Sequence, residues 1–212
     1  MTARIARNGS LGEHSFAVGP RMGPSRRGFA IGALALALAG CGESGRGPAP
    51  SDIGGSFVLT DQSGARVDER ILRGKWTAVF FGYTFCPDVC PTTLTTLAAA
   101  IDLLGPDARR FQVAFITIDP ERDTPAQLKT YLSSPAFPKG TIGLTGTAAQ
   151  IASVARAYHV YYKKAGEGAN YSMDHTSIVY LMDLKGRFSR PIAFGAAPPD
   201  IAKQIKDAMH GA

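Results

Sequence analysis

Nowhere in this 212-residue chain do apolar residues run far enough to cross a bilayer. The longest run, residues 29–39, is about eleven residues, against the roughly 20 that a spanning helix needs. Charge is sparse as well. Asp, Glu, Lys and Arg make up 19% of the residues, and the 45% that are hydrophobic suffice for an ordinary core, which excludes a disordered or fibrous protein. An excess of one sign is also missing from most of the chain. The formal net charge is +6, but residues 1–40 hold five arginines and one glutamate, so from Cys41 onward 18 basic residues face 16 acidic ones. That balance removes the nucleic-acid or membrane-surface reading a basic total would invite. No internal repeat or low-complexity tract occurs after residue 52. Cysteine occurs three times and histidine four, so thiol or metal chemistry has few places to reside.

What is present begins with an address. Residues 1–27 are polar and arginine-bearing, the apolar run follows, and Gly40-Cys41 comes directly after it, the three-part layout of an export signal. Ser25-Arg26-Arg27-Gly28-Phe29 resembles a twin-arginine motif. Leu38-Ala39-Gly40-Cys41 resembles a bacterial lipobox, in which Cys41 becomes the lipidated first residue. An ordinary signal with a chance cysteine, or an uncleaved signal serving as anchor, are the alternatives. Residues 41–51 are rich in Gly, Pro and Ser without a hydrophobic period and read as a flexible tether. The division expected is therefore a signal at 1–40, a tether at 41–51 and a folded domain at 52–212. The protein is expected to be exported and held at the periplasmic face of a membrane.

Within the domain, Phe57–Thr60 reads as a short strand and Trp76–Tyr83 as a strand buried on both faces. A helix is predicted from Pro91 to Leu104, where Leu94, Leu97, Ala98, Ile101 and Leu104 recur at helical spacing. Phe111–Ile118 reads as a second buried strand, followed by helices from Pro125 to Tyr131 and from Thr147 to Tyr158. His175–Met182 and Arg187–Ala193 read as a hairpin, and Pro199–Met209 as a closing helix. This order predicts an α/β domain with a central mixed sheet flanked by helices and a C-terminal antiparallel hairpin and helix. It is compatible with a thioredoxin arrangement without singling one out.

The chemistry sits between the first buried strand and the helix after it. Cys86 and Cys90, in Thr84-Phe-Cys-Pro-Asp-Val-Cys-Pro-Thr92, fall where open α/β sheets collect ligands, and a helix N-terminus there favours thiolate. A structural disulfide would close so short a ring that its stabilisation falls well below the roughly 3 kcal/mol of a 15-residue loop. On a regular helix, residues four apart have Cβ atoms about 5 to 6 Å apart, wider than a disulfide prefers. Each cysteine precedes a proline, which biases it away from helical geometry, so both states are open. Two thiolates form a soft donor pair that suits Cu(I), zinc or an iron–sulfur cluster. Two sulfurs rarely suffice alone, so a third ligand is to be sought among the histidines. His14 lies in the signal, His210 at the terminus, and His159 reads as a core or surface residue. His175, in Met173-Asp-His-Thr-Ser177, is the candidate on local grounds.

Three separated motifs then carry a resemblance: Phe81-Gly-Tyr-Thr-Phe-Cys86-Pro-Asp-Val-Cys90-Pro-Thr-Thr, Asp119-Pro-Glu-Arg-Asp-Thr-Pro125 and Asp174-His175-Thr-Ser177. Together, over about residues 52–210, they resemble the Sco/SenC family. The resemblance implies a thioredoxin-like fold and copper bound as Cu(I) or Cu(II) by Cys86, Cys90 and His175. It also implies a role in assembling the dinuclear copper centre of cytochrome c oxidase. The partners implied are the copper-bearing oxidase subunit and other copper chaperones. Asp119 and Asp174 are expected to orient His175, with a loop-bracing role as the alternative for Asp119; Asp123 or Thr124 is expected to cap the helix near Pro125. A thiol–disulfide oxidoreductase using Cys86 and Cys90 as a dithiol is the competing function. A peroxidase is a weaker one, since only these thiols suit peroxide.

Overall fold

Trp76–Gly82 forms β3, and every one of its residues is buried, as a run without a polar face requires. The computed structural model describes residues 52–211, so the expected signal, the tether and Cys41 lie outside the described residues. Ahead of β3 come β1 (Val58–Asp61) and β2 (Arg66–Asp68). After it come β4 (Phe111–Thr117), β5 (Ile142–Thr145), β6 (Tyr162–Ala165), β7 (Ser172–His175), β8 (Val179–Met182) and β9 (Phe188–Ile192). The helices are α1 (Val89–Asp102), α2 (Pro125–Leu132), α3 (Ala148–Ala157) and α4 (Pro198–His210).

Seven strands form one sheet in the order β2-β1-β5-β4-β3-β8-β9. β3 pairs parallel with β4, and β4 with β5, while β8 runs antiparallel to β3 and β9 antiparallel to β8. This is the expected thioredoxin-like mixed sheet with a C-terminal hairpin and helix. α1 buries Leu94, Leu97 and Ala100, and α4, which packs with it, buries Ile201, Ile205 and Ala208. α2 starts under a Thr124 cap with Pro125 in its first turn, and α3 under a Thr147/Gln150 capping box. In the β8–β9 turn, Asp183 Oδ1 accepts from the backbone N–H groups of Lys185 and Arg187.

Four strands depart from the sequence reading. β2 and β5 are short pieces that extend the sheet beyond β4. β6 and β7 pair only with each other, in a separate two-stranded sheet whose register sets Tyr162 opposite His175. The single strand predicted over His175–Met182 is therefore broken: His175 ends β7, and the large sheet resumes at Val179. Asp123, one of the two caps proposed for α2, is fully buried and does other work.

Candidate metal centre

β3 ends at Gly82, the chain turns through Tyr83–Asp88, and α1 begins at Val89, so Cys86 lies in the turn and Cys90 in the first helical turn. Cys90 is helical despite the proline after it; Pro91 lies in the first turn, where its missing N–H leaves no intrahelical bond unmade. Asp88 makes no side-chain cap. The sulfur of Cys86 takes that place, accepting from the Cys90 backbone N–H at 3.4 Å. Cys86 is half-buried, Cys90 is buried, and both are free thiols.

The two sulfurs differ in protonation. Hydrogen bonding from the Cys90 thiol, helped by His175 and by the Cys90 and Asp88 backbone, pulls Cys86 down to about 3 against the opposing effect of burial. Donating to Cys86, burial and the Cys86 charge push Cys90 far above the ordinary thiol range. The pair is a thiolate supported by a thiol.

Gly82 makes room for the buried sulfur. A Cβ at that position would lie 2.7 Å from Cys90 Sγ and 2.9 Å from the Phe115 ring. Across the site, His175 Nε2 lies 4.0 Å from Cys90 Sγ, and its Nδ1 lies 2.9 Å from the carbonyl oxygen of Thr176. A carbonyl only accepts, so Nδ1 carries a proton, and Nε2 is the ring nitrogen left facing the sulfurs. The ring rests between Phe80 and Tyr83, at centroid distances of 6.5 and 6.1 Å. Metal–sulfur and metal–nitrogen bonds of the lengths zinc makes, about 2.3 and 2.0 Å, can bridge the 4.0 Å gap. Among the described residues, no group of three or more His, Cys, Asp or Glu side chains is gathered closely enough to hold a metal ion as it stands, so the three candidates must draw together on binding.

The two aspartates expected to orient His175 have other partners than its ring. Asp119 is buried, accepts from the Tyr171 hydroxyl at 2.7 Å and is paired with Arg122. Asp174 is exposed on β7 opposite Lys163. The Thr176 carbonyl, one peptide away, holds the ring nitrogen instead. Of the other histidines, His159 is exposed with φ 54° after α3, and His210 lies 2.9 Å from Asp107; His14 lies outside the described residues.

Sequence reasoning missed the brace beneath the cysteines. The Asp123 carboxylate accepts from the Thr84 backbone N–H at 3.0 Å, the Thr84 hydroxyl at 2.7 Å and the Thr117 hydroxyl at 2.6 Å. It thereby ties the cysteine loop to the end of β4. Burial pushes its pKa up, and these hydrogen bonds hold it back in part. The available signal was a carboxylate and two threonines at strand ends, which helix capping explains equally well.

The SCO1/SenC family profile matches residues 45–210. The mitochondrial SCO1 homolog 1 of Arabidopsis thaliana is 46% identical over 138 residues, 64% of this chain and 41% of that protein. The chain thus matches less than half the length of that relative. Protein SenC of Rhodobacter capsulatus is 40% identical over 165 residues, 76% of this chain and 72% of its own. The solved structure of Bradyrhizobium japonicum ScoI with copper bound superposes with a TM-score of 0.67 at 46% identity, covering 74% of this chain and 99% of that one. A profile that matches residues 45–210, together with relatives 46% and 40% identical, makes the chain a member of the SCO1/SenC family.

Proposed function

We propose that this protein binds copper through the sulfurs of Cys86 and Cys90 and Nε2 of His175, and passes it to the copper-bearing subunit of cytochrome c oxidase. The observation that carries the reading is the 4.0 Å approach of the imidazole Nε2 to a sulfur pair that is already part thiolate. Two soft donors favour Cu(I), and the imidazole suits Cu(II) as well, so one site serves both states. The copper-bound structure of Bradyrhizobium japonicum ScoI supports the choice of metal. Copper is cargo here. Three ligands leave a coordination position open, through which a partner's ligand enters before the Cys and His bonds are released. Cys41 carries the lipid in this reading, and residues 41–51 hold the domain off the membrane on the periplasmic side.

One feature favours thiol–disulfide exchange as a second activity. A half-buried thiolate beside a buried thiol is the division of labour between an attacking and a resolving cysteine. Titrating the purified protein with Cu(I) and Cu(II), alongside Cys86→Ser and His175→Ala, separates the two. The copper reading expects both substitutions to weaken binding, with dithiol chemistry surviving in His175→Ala. Unchanged copper affinity in His175→Ala would overturn the three-ligand site.

A further inference from the structure

The hairpin that carries His175 is weakly anchored by its backbone. β6 and β7 pair with each other and not with the large sheet, and a lone two-stranded hairpin is marginal in water. The position of His175 therefore depends on the side chains that fasten the hairpin down: Tyr162 and Met173 pack against the core, and a second group of contacts centres on Arg122.

Its guanidinium reaches both halves of the site. Nε donates to Asp119 Oδ2, and Nη1 donates to the Tyr171 carbonyl oxygen at 3.0 Å, immediately before β7. The guanidinium carbon lies 3.6 Å from the centre of the Tyr171 ring, whose hydroxyl donates to the other oxygen of Asp119. It also lies 4.6 Å from the Phe85 ring and 5.7 Å from the Tyr83 ring, on the loop that carries Cys86. A planar, permanently charged group can hold a carboxylate, a carbonyl and aromatic faces together. The neighbouring Lys164–Glu121 pair, 3.2 Å apart, is largely exposed and adds little.

We propose that Arg122 is a positioning residue of the metal centre: with Tyr171 and Asp119 it clamps the histidine hairpin to the cysteine loop and sets the distance at which His175 meets the sulfurs. The inference rests on His175 being a copper ligand, as argued above. Loss of the clamp loosens the imidazole more than the sulfurs, because the cysteine loop keeps its separate tie from Thr84 to Asp123.

The test uses the purified protein with Arg122→Gln and Tyr171→Phe, each made with His175 and again with His175→Ala. In the metal-free protein, Arg122→Gln raises amide hydrogen exchange over residues 172–175 while α1 stays protected. In the copper-loaded protein it speeds copper release about tenfold, the scale for losing a group that orients a ligand, and shifts the Cu(II) spectrum toward that of His175→Ala. Tyr171→Phe, which removes one hydroxyl, speeds release by about two- to fivefold. It decides the matter alone if Arg122→Gln does not fold. With His175→Ala present, neither substitution accelerates release further. Equal acceleration with and without His175, or unchanged release in a folded variant, overturns the clamp. If His175→Ala itself leaves release and spectrum unchanged, the three-ligand site falls, and the clamp falls with it.

Discussion

His175 Nε2 stands 4.0 Å from Cys90 Sγ although 85 residues separate them in the chain. The approach is assembled from three independent supports. Gly82 leaves the space that Cys90 Sγ occupies, Thr176 fixes the tautomer of the ring, and a hairpin outside the main sheet delivers the imidazole.

The asymmetry of the two thiols is open to direct chemical reading. At pH 6 an alkylating reagent should modify Cys86 at least roughly 100-fold faster than Cys90, because only the thiolate reacts and Cys90 is both protonated and buried. Mass spectrometry after a short pulse checks this. In denaturant the two rates should converge, and equal rates in the native protein would contradict the assignment.

Copper affinity should rise with pH. Cys86 is already ionised above about pH 3, whereas Cys90 keeps its proton through the ordinary thiol range. Binding both sulfurs as thiolates must therefore displace the Cys90 proton, and raising the pH removes that competitor. Competition titrations between pH 5 and 8 should show Cu(I) affinity increasing about tenfold per unit, the slope for one released proton. In Cys90→Ser that slope should flatten.

Asp123→Ala should destabilise the protein by about 1 to 3 kcal/mol, since it strands the buried Thr84 N–H and the Thr84 and Thr117 hydroxyls. Denaturant unfolding of the metal-free protein measures the loss. Copper binding should weaken in parallel, because the Cys86 loop loses its tie to β4. An effect on copper with no effect on stability would point to a more direct role for the carboxylate.

Gly82→Ala tests the cradle. Its Cβ would sit 2.7 Å from Cys90 Sγ, so either the sulfur or the strand must move, at a cost of about 1 to 3 kcal/mol. A lowered melting temperature together with faster alkylation at the displaced Cys90 is the expected pair of results.

Much of this arrangement was legible in the sequence, for reasons that differ by element. Trp76–Gly82 and Phe111–Thr117 announce themselves because a strand buried on both faces carries apolar residues at nearly every position. Cys86 and Cys90 stand out by chemistry and by their place at a strand-to-helix junction. His175 was singled out by its local motif and by the family resemblance, since neither periodicity nor spacing links it to the cysteines. β6 and β7 escaped because Tyr162–Ala165 and Ser172–His175 are short, largely polar and only half-buried pieces whose pairing is decided by tertiary contacts. Arg122 escaped for a similar reason: an arginine in a polar turn reads as solvated until Tyr171 and Phe85 are seen packed against it. Asp123 sits one residue before the Thr124 cap, and sequence alone gives no means of telling a cap from a buried brace.

The most direct measurement is X-ray absorption at the copper edge of the protein loaded with one copper, compared with His175→Ala. The account predicts two sulfurs and one imidazole nitrogen around copper, with the nitrogen contribution lost in His175→Ala and both sulfurs retained. A shell of sulfurs alone, or a nitrogen signal that persists in His175→Ala, would contradict it.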